Sequence, residues 1–148
     1  MKKIVIFDLD GTLALIDDRR KISTKPNGKL DWDKFFDPKN INLDKPNIPV
    51  IKMAQSLAST DHQIVIFSGR SDVTIQTTKS WLNKHKVPFH IIKMRPVKDF
   101  TPDDVLKQNW LNAIGKDNVL CTFDDRNKVV DMWRQNGIDC FQVADGNF

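Results

Sequence analysis

Five short apolar, β-branched runs constrain this chain most: Ile4–Phe7, Ile64–Phe67, Phe89–Ile92, Val119–Phe123 and Cys140–Val143. Each is too short for a helix and lacks the strict alternation of a half-wet strand. They read as strands buried on both faces, the habit of parallel sheets. Between the later runs lie stretches of helical periodicity that carry their own end signals. Thr101-Pro102-Asp103-Asp104 offers an N-cap with proline at the first helical position, and Gly115 and Gly137 are placed to end two helices. A further helix is expected from Val73 to about Lys86, stopped by Val87-Pro88, and another over Val50–Ala58. Strands alternating with helices predict an α/β fold, a doubly wound (Rossmann-like) five-stranded parallel sheet.

With 148 residues, 40% of them hydrophobic and 28% charged, the chain has room for one core and is expected to be a single domain over residues 1–148. The first connection is too long for one crossover, so residues 13–49 are expected to form a cap-like or flap insertion placed to cover the site. Trp32, Phe35 and Phe36 within it are candidates for stacking on a nucleobase, or else pack on one another as a surface loop. Trp81, Trp110 and Trp133 fall in helical stretches and read as packing residues.

The N-terminal apolar run stops after four residues, too short for a signal or membrane helix. Cys121 and Cys140 lack any metal-binding spacing and read as reduced, buried thiols of a cytoplasmic protein. His62, His85 and His90 have no ligand partner at useful spacing. The net charge of +4 permits an anionic partner.

Three of the five runs end in polar clusters: Asp8-Leu9-Asp10-Gly11-Thr12, Ser68-Gly69-Arg70 and Asp124-Asp125-Arg126. In a parallel sheet these carboxyl ends share one edge, where ligands bind at the switch point of the strand order. An extended backbone from Asp8 to Asp10 would put both side chains on one face, with Leu9 in the core. Adding Asp124 and Asp125 makes a site that repels itself unless a cation is present, and oxygen-only ligands suit Mg²⁺. A carboxylate nucleophile attacking phosphorus, with a second acid to move the proton, would perform phosphoryl transfer to aspartate.

These motifs resemble those of the haloacid dehalogenase superfamily of phosphotransferases. The resemblance makes Asp8 the nucleophile and Asp10 the general acid/base. It has Mg²⁺ held by Asp8, the Asp10 backbone carbonyl and Asp124, with Asp125 just behind. Ser68 and Thr12 would contact the transferring phosphoryl group beside Gly69, and Lys107 would neutralise its charge. More narrowly, Ser68-Gly69-Arg70, Asp103–Lys107, Asp124–Arg134 and the tail Cys140–Phe148 are similar to the 3′-phosphatase domains of bacteriophage polynucleotide kinase/phosphatases. That likeness adds Arg19 and Arg70 as phosphate-gripping guanidiniums.

No glycine here begins a GxxxxGK[ST] loop, so the expectation is a standalone phosphatase without a kinase or nucleotide cofactor. The implied substrate is nucleic acid with 3′-phosphate ends, DNA or RNA, and a small-molecule nucleotidase is the alternative. A catalytically dead end-binding module would have lost Asp8 or Asp10, and both are present.

Overall fold

The computed structural model describes residues 2–148. The strands are β1 (Ile4–Phe7), β2 (Ala14–Leu15), β3 (Lys45–Pro46), β4 (Gln63–Ser71), β5 (Ile91–Arg95), β6 (Val119–Asp124) and β7 (Cys140–Gln142). The α-helices are α1 (Asp17–Ser23), α2 (Trp32–Phe35), α3 (Pro38–Ile41), α4 (Ile48–Ala58), α5 (Ile75–Lys84), α6 (Asp103–Ile114) and α7 (Asn127–Gln135). Five strands form one parallel sheet, as expected, and their order is β5-β4-β1-β6-β7. Among the described residues no helix is long and apolar enough to cross a membrane.

Alternation along β1 divides the interior into two layers. Val5 and Phe7 join Ile64, Ile66, Ala54, Trp81 and Leu82 on the face covered by α4 and α5. Ile6 joins Val65, Phe67, Leu111, Val130 and Trp133 on the face covered by α6 and α7. The chain winds from β1 outward through β4 to β5, then returns to β6 on the other side of β1, which makes β1 the switch point. Phe7 pairs with Ile66 and with Phe123, so Asp8 and Asp124 follow at one level while β4 runs on beside them to Ser71. The Asp8 N–H still donates to the Phe123 carbonyl at 2.9 Å, which places Asp8 beside Asp124.

Several boundaries move from their expected places. β5 begins at Ile91, two residues later than expected, because the His90 N–H and ring already bond Ile64 ahead of the ladder. It is an edge strand, and the exposed Lys93 in it disguises its second half. Helix α6 starts at Asp103 with Pro102, not Thr101, in the capping position. Helix α5 is shorter than expected and is preceded by a 3₁₀ turn over Asp72–Thr74. Helix α4 starts at Ile48 and takes Pro49 into its first turn, so that proline leaves the insertion.

The insertion is a folded piece. It contains α1, α2, α3 and the antiparallel pair β2–β3. Phe35 and Ile41 reach the same core as β1 and α5.

Candidate active site

Two clusters of buried charge form where β1, β4 and β6 end. The first contains Asp8, Asp124 and Asp125, one oxygen from each lying within 4.8 Å of the others. Lys107, from α6, is fully buried and donates to Asp8 Oδ1 at 2.8 Å and Asp124 Oδ2 at 3.1 Å. The Thr12 hydroxyl lies 3.3 Å from Asp8 Oδ2 and 3.2 Å from Asp125 Oδ1, so its single proton can serve either. Asp124 is oriented from behind by the Trp133 indole N–H at 3.3 Å and the Asp125 N–H at 2.9 Å.

Three carboxylates therefore face one ammonium in a dry place. Burial, then the charge of Asp124, pushes the Asp8 carboxyl well above its ordinary range against the pull of Lys107. Burial raises Asp125 as well. Burial would lower Lys107, yet Asp124 and Asp8 outweigh it and hold the ammonium form firmly. A hard divalent cation fits this donor set, since all three candidate ligands are carboxylate oxygens and their negative charge is only partly matched.

The turn after β1 separates Asp10 from Asp8. The Leu9 carbonyl accepts from the N–H groups of Thr12, Leu13 and Ala14, so the chain turns after Leu9 and the extended backbone that would put Asp8 and Asp10 on one face is not what forms. Gly11 makes this possible with φ +83°, and a Cβ there would collide with the Asp125 carboxylate. Leu9 does enter the core.

Asp10 belongs to the second cluster, with Arg19, Arg70 and Asp44. Arg19 donates from Nη2 to Asp10 Oδ1 at 2.8 Å, and Arg70 Nη2 donates to the same oxygen. Behind them Asp44 accepts from Arg19 Nε at 3.0 Å, Arg19 Nη2 at 3.1 Å and Arg70 Nη2 at 3.0 Å. The remaining Nη1 groups go to the Phe35 carbonyl and the Thr78 hydroxyl. Burial would raise Asp10, but the Arg70 and Arg19 charges overcome it and hold the carboxyl below its usual range. At Asp44 burial dominates and the pKa is raised.

The sequence-derived residues thus converge, with two changes of partner. Arg19 and Arg70, expected to grip phosphate, are fully buried and spend their forks on Asp10 and Asp44. Phe35 cannot stack on a base, because it is buried under the Arg19 guanidinium at 4.3 Å from its ring centroid. Trp32 and Phe36 stack on each other, leaving Trp32 59% exposed. Ser68 is buried in β4, where the pairing with β5 loses its regular register, and its hydroxyl accepts from the Arg70 N–H at 3.1 Å. Gly69 lies directly against the Asp103 carboxylate, where a Cβ would not fit.

Sequence reasoning missed Asp44 and Arg95. Asp44 follows no strand and belongs to no motif, and its partners are 25 and 26 positions away. The signal lay in charge counting, since two buried guanidiniums need more than Asp10 to balance them. Arg95 ties the rim together by donating to the carbonyls of Gly69, Asp99 and Thr101 and to Asp103 Oδ1. Arg126 and Arg134 hold the Phe148 and Cys140 carbonyls, in keeping with structural roles.

A family model described as the polynucleotide kinase PNKP phosphatase domain matches residues 2–148. A protein of Autographa californica nuclear polyhedrosis virus, named as a bifunctional polynucleotide kinase/RNA ligase, is 34% identical over 137 residues, 89% of this chain and 18% of that protein. A chain of the Pnkp1/Rnl/Hen1 RNA repair complex superposes with TM-score 0.82 at 30% identity, covering 99% of this chain and 44% of that one. A haloacid dehalogenase-like family protein from Streptococcus pneumoniae shares the fold, with TM-score 0.66 at 14% identity over 95% of this chain and 83% of that one. The chain spans less than half the length of the first two. The match along nearly every residue, on a sheet of this order, shows that the chain belongs to the PNKP phosphatase-domain family within the haloacid dehalogenase phosphatases.

Proposed function

We propose that the chain is a Mg²⁺-dependent phosphatase that removes the terminal 3′-phosphate of a nucleic acid through a covalent intermediate on Asp8. One observation carries the reading: a carboxylate at the end of the switch-point strand sits between a buried ammonium and two further carboxylates. Asp8, Asp124 and the backbone at Asp10 would hold the Mg²⁺, which when bound supplies positive charge that keeps Asp8 ionised and offsets charge on the phosphoryl oxygens.

In the first step an Asp8 oxygen bonds to phosphorus as the phosphate ester bond breaks; Asp10, which the arginines hold as a carboxylate, takes the proton that a monoanionic phosphate ester brings and passes it to the departing alkoxide. In the second, water bonds to phosphorus, passes a proton to the Asp10 carboxylate, and the bond from Asp8 to phosphorus breaks to release inorganic phosphate. Lys107 balances charge on Asp8 as the phosphoryl group arrives. The Ser68 hydroxyl, which accepts from Arg70 N–H, has its own proton to give to a phosphoryl oxygen. The catalytic set is therefore Asp8, Asp10, Lys107 and Asp125. Thr12 contributes by steadying the Asp8–Asp125 pair.

The nucleic-acid substrate rests on the relatives, whose names speak of polynucleotide kinase and RNA repair. A site this closed, with Asp8 buried and the Asp10 side chain 23% exposed, suits a protruding terminal phosphate better than an internal phosphodiester. The test is Mg²⁺-dependent phosphate release from a 3′-phosphorylated oligonucleotide, its 5′-phosphorylated counterpart and a 3′-mononucleotide. Preference for the first, lost in Asp8→Asn, supports the reading. Preference for the mononucleotide moves the substrate to the nucleotidase alternative, and no release from any of them overturns phosphatase activity on nucleotides.

A further inference from the structure

We infer that Asp44, contributed by the insertion, is a positioning residue for Asp10 and acts through both arginines. The assignment builds on the role of Asp10 as the proton-transferring group. Two nitrogens, Arg19 Nη2 and Arg70 Nη2, each donate to the same two oxygens, Asp10 Oδ1 and Asp44 Oδ2. The result is a closed diamond of alternating donors and acceptors, two cations against two anions. Among the described residues no hydrogen bond reaches Asp10 Oδ2, so one oxygen is pinned and the other is left to handle the proton.

Two guanidiniums converge on one acceptor only if something offsets their mutual repulsion. Asp44 is the group that does so here, and it is itself held on every side. Its N–H donates to the Ile41 carbonyl at 3.1 Å, its carbonyl accepts the Trp81 indole N–H at 3.0 Å, and its side chain has no solvent exposure. Arg19 is braced by the Phe35 ring and carbonyl, and Arg70 by Thr78 on α5. Asp44, Arg19 and Phe35 all come from the insertion, whereas Arg70 comes from β4. Folding the insertion onto the sheet is therefore what completes the grip on Asp10. Without Asp44 the two forks would retain one anion between them and separate, and Asp10 would lose its fixed orientation.

The experiment compares Asp44→Asn with the parent protein on two phosphate esters that differ in their need for a proton. p-Nitrophenolate departs unassisted, while the alkoxide of a 3′-phosphorylated oligonucleotide needs general acid help, which is commonly worth about 10²–10⁴-fold. The expected result is a kcat/KM loss on the oligonucleotide at least about tenfold larger than the loss on p-nitrophenyl phosphate. An equal loss on both esters assigns Asp44 to structure alone and overturns the inference, as does no loss on either. If the parent protein ignores oligonucleotides, the polynucleotide reading fails by itself, and a 3′-mononucleotide serves as the alkyl ester. Should Asp44→Asn not fold, Asp44→Ala prepared in formate replaces it. Formate between the guanidiniums should restore alkyl-ester turnover selectively, and absence of that selectivity overturns the inference.

Discussion

The two buried charge clusters at the edge of this sheet use the same kind of carboxylate and reach opposite electrostatic outcomes. Around Asp8, three carboxylates meet one ammonium, and Asp8 is pushed away from its charged form. Around Asp10, two carboxylates meet two guanidiniums, and the acid is pulled toward its charged form. The difference teaches that charge balance, rather than the number of acids, separates a site that needs a cation from one that completes itself. Only Leu9 separates Asp8 from Asp10 along the chain, and the left-handed Gly11 lets the turn that follows them pack against Asp125.

The sharpest break in this comparison comes from its active member. Asp8→Asn should lower phosphate release by roughly 10³-fold or more while leaving the fold intact, read by steady-state kinetics beside circular dichroism. Next in size is Lys107→Met, which removes the only cation of the first cluster. Unpairing a buried ion costs about 3–5 kcal/mol, so the melting temperature should drop sharply without Mg²⁺ and recover in part when Mg²⁺ is added. The same substitution logic applied to the balanced cluster gives a different pattern: Arg70→Lys loses the fork and stability, and Mg²⁺ should restore none of it. Gly11→Ala combines left-handed strain with a clash on Asp125, and should cost about 1–3 kcal/mol together with a fall in turnover. Gly28→Ala shares the positive φ but meets open space, so about 1 kcal/mol and unchanged turnover are expected.

Much of this was readable in advance, for physical reasons. β1, β4 and β6 are central strands, and burial on both faces writes them as continuous apolar runs. β5 is an edge strand with a half-wet face, so its pattern drifted by two residues. The motif carboxylates could be located because a parallel sheet brings all strand ends to one side. Which carboxylate would meet which cation could not, since that depends on how the insertion folds. Phe35 illustrates the problem: an aromatic in a polar segment looks like a stacking platform, and only the packed insertion shows it lying under Arg19. Charge counting calls for a second acid beside Arg19 and Arg70 but does not single out Asp44, whose partners lie on α1 and β4 and are brought to it by tertiary structure.

The account stands or falls on the first cluster taking a divalent cation. Calorimetric titration of Mg²⁺ into the parent protein and into Asp124→Asn tests it most directly. The prediction is a single Mg²⁺ site in the parent, weakened at least about tenfold by the substitution. Equal Mg²⁺ affinity in the two proteins would contradict it.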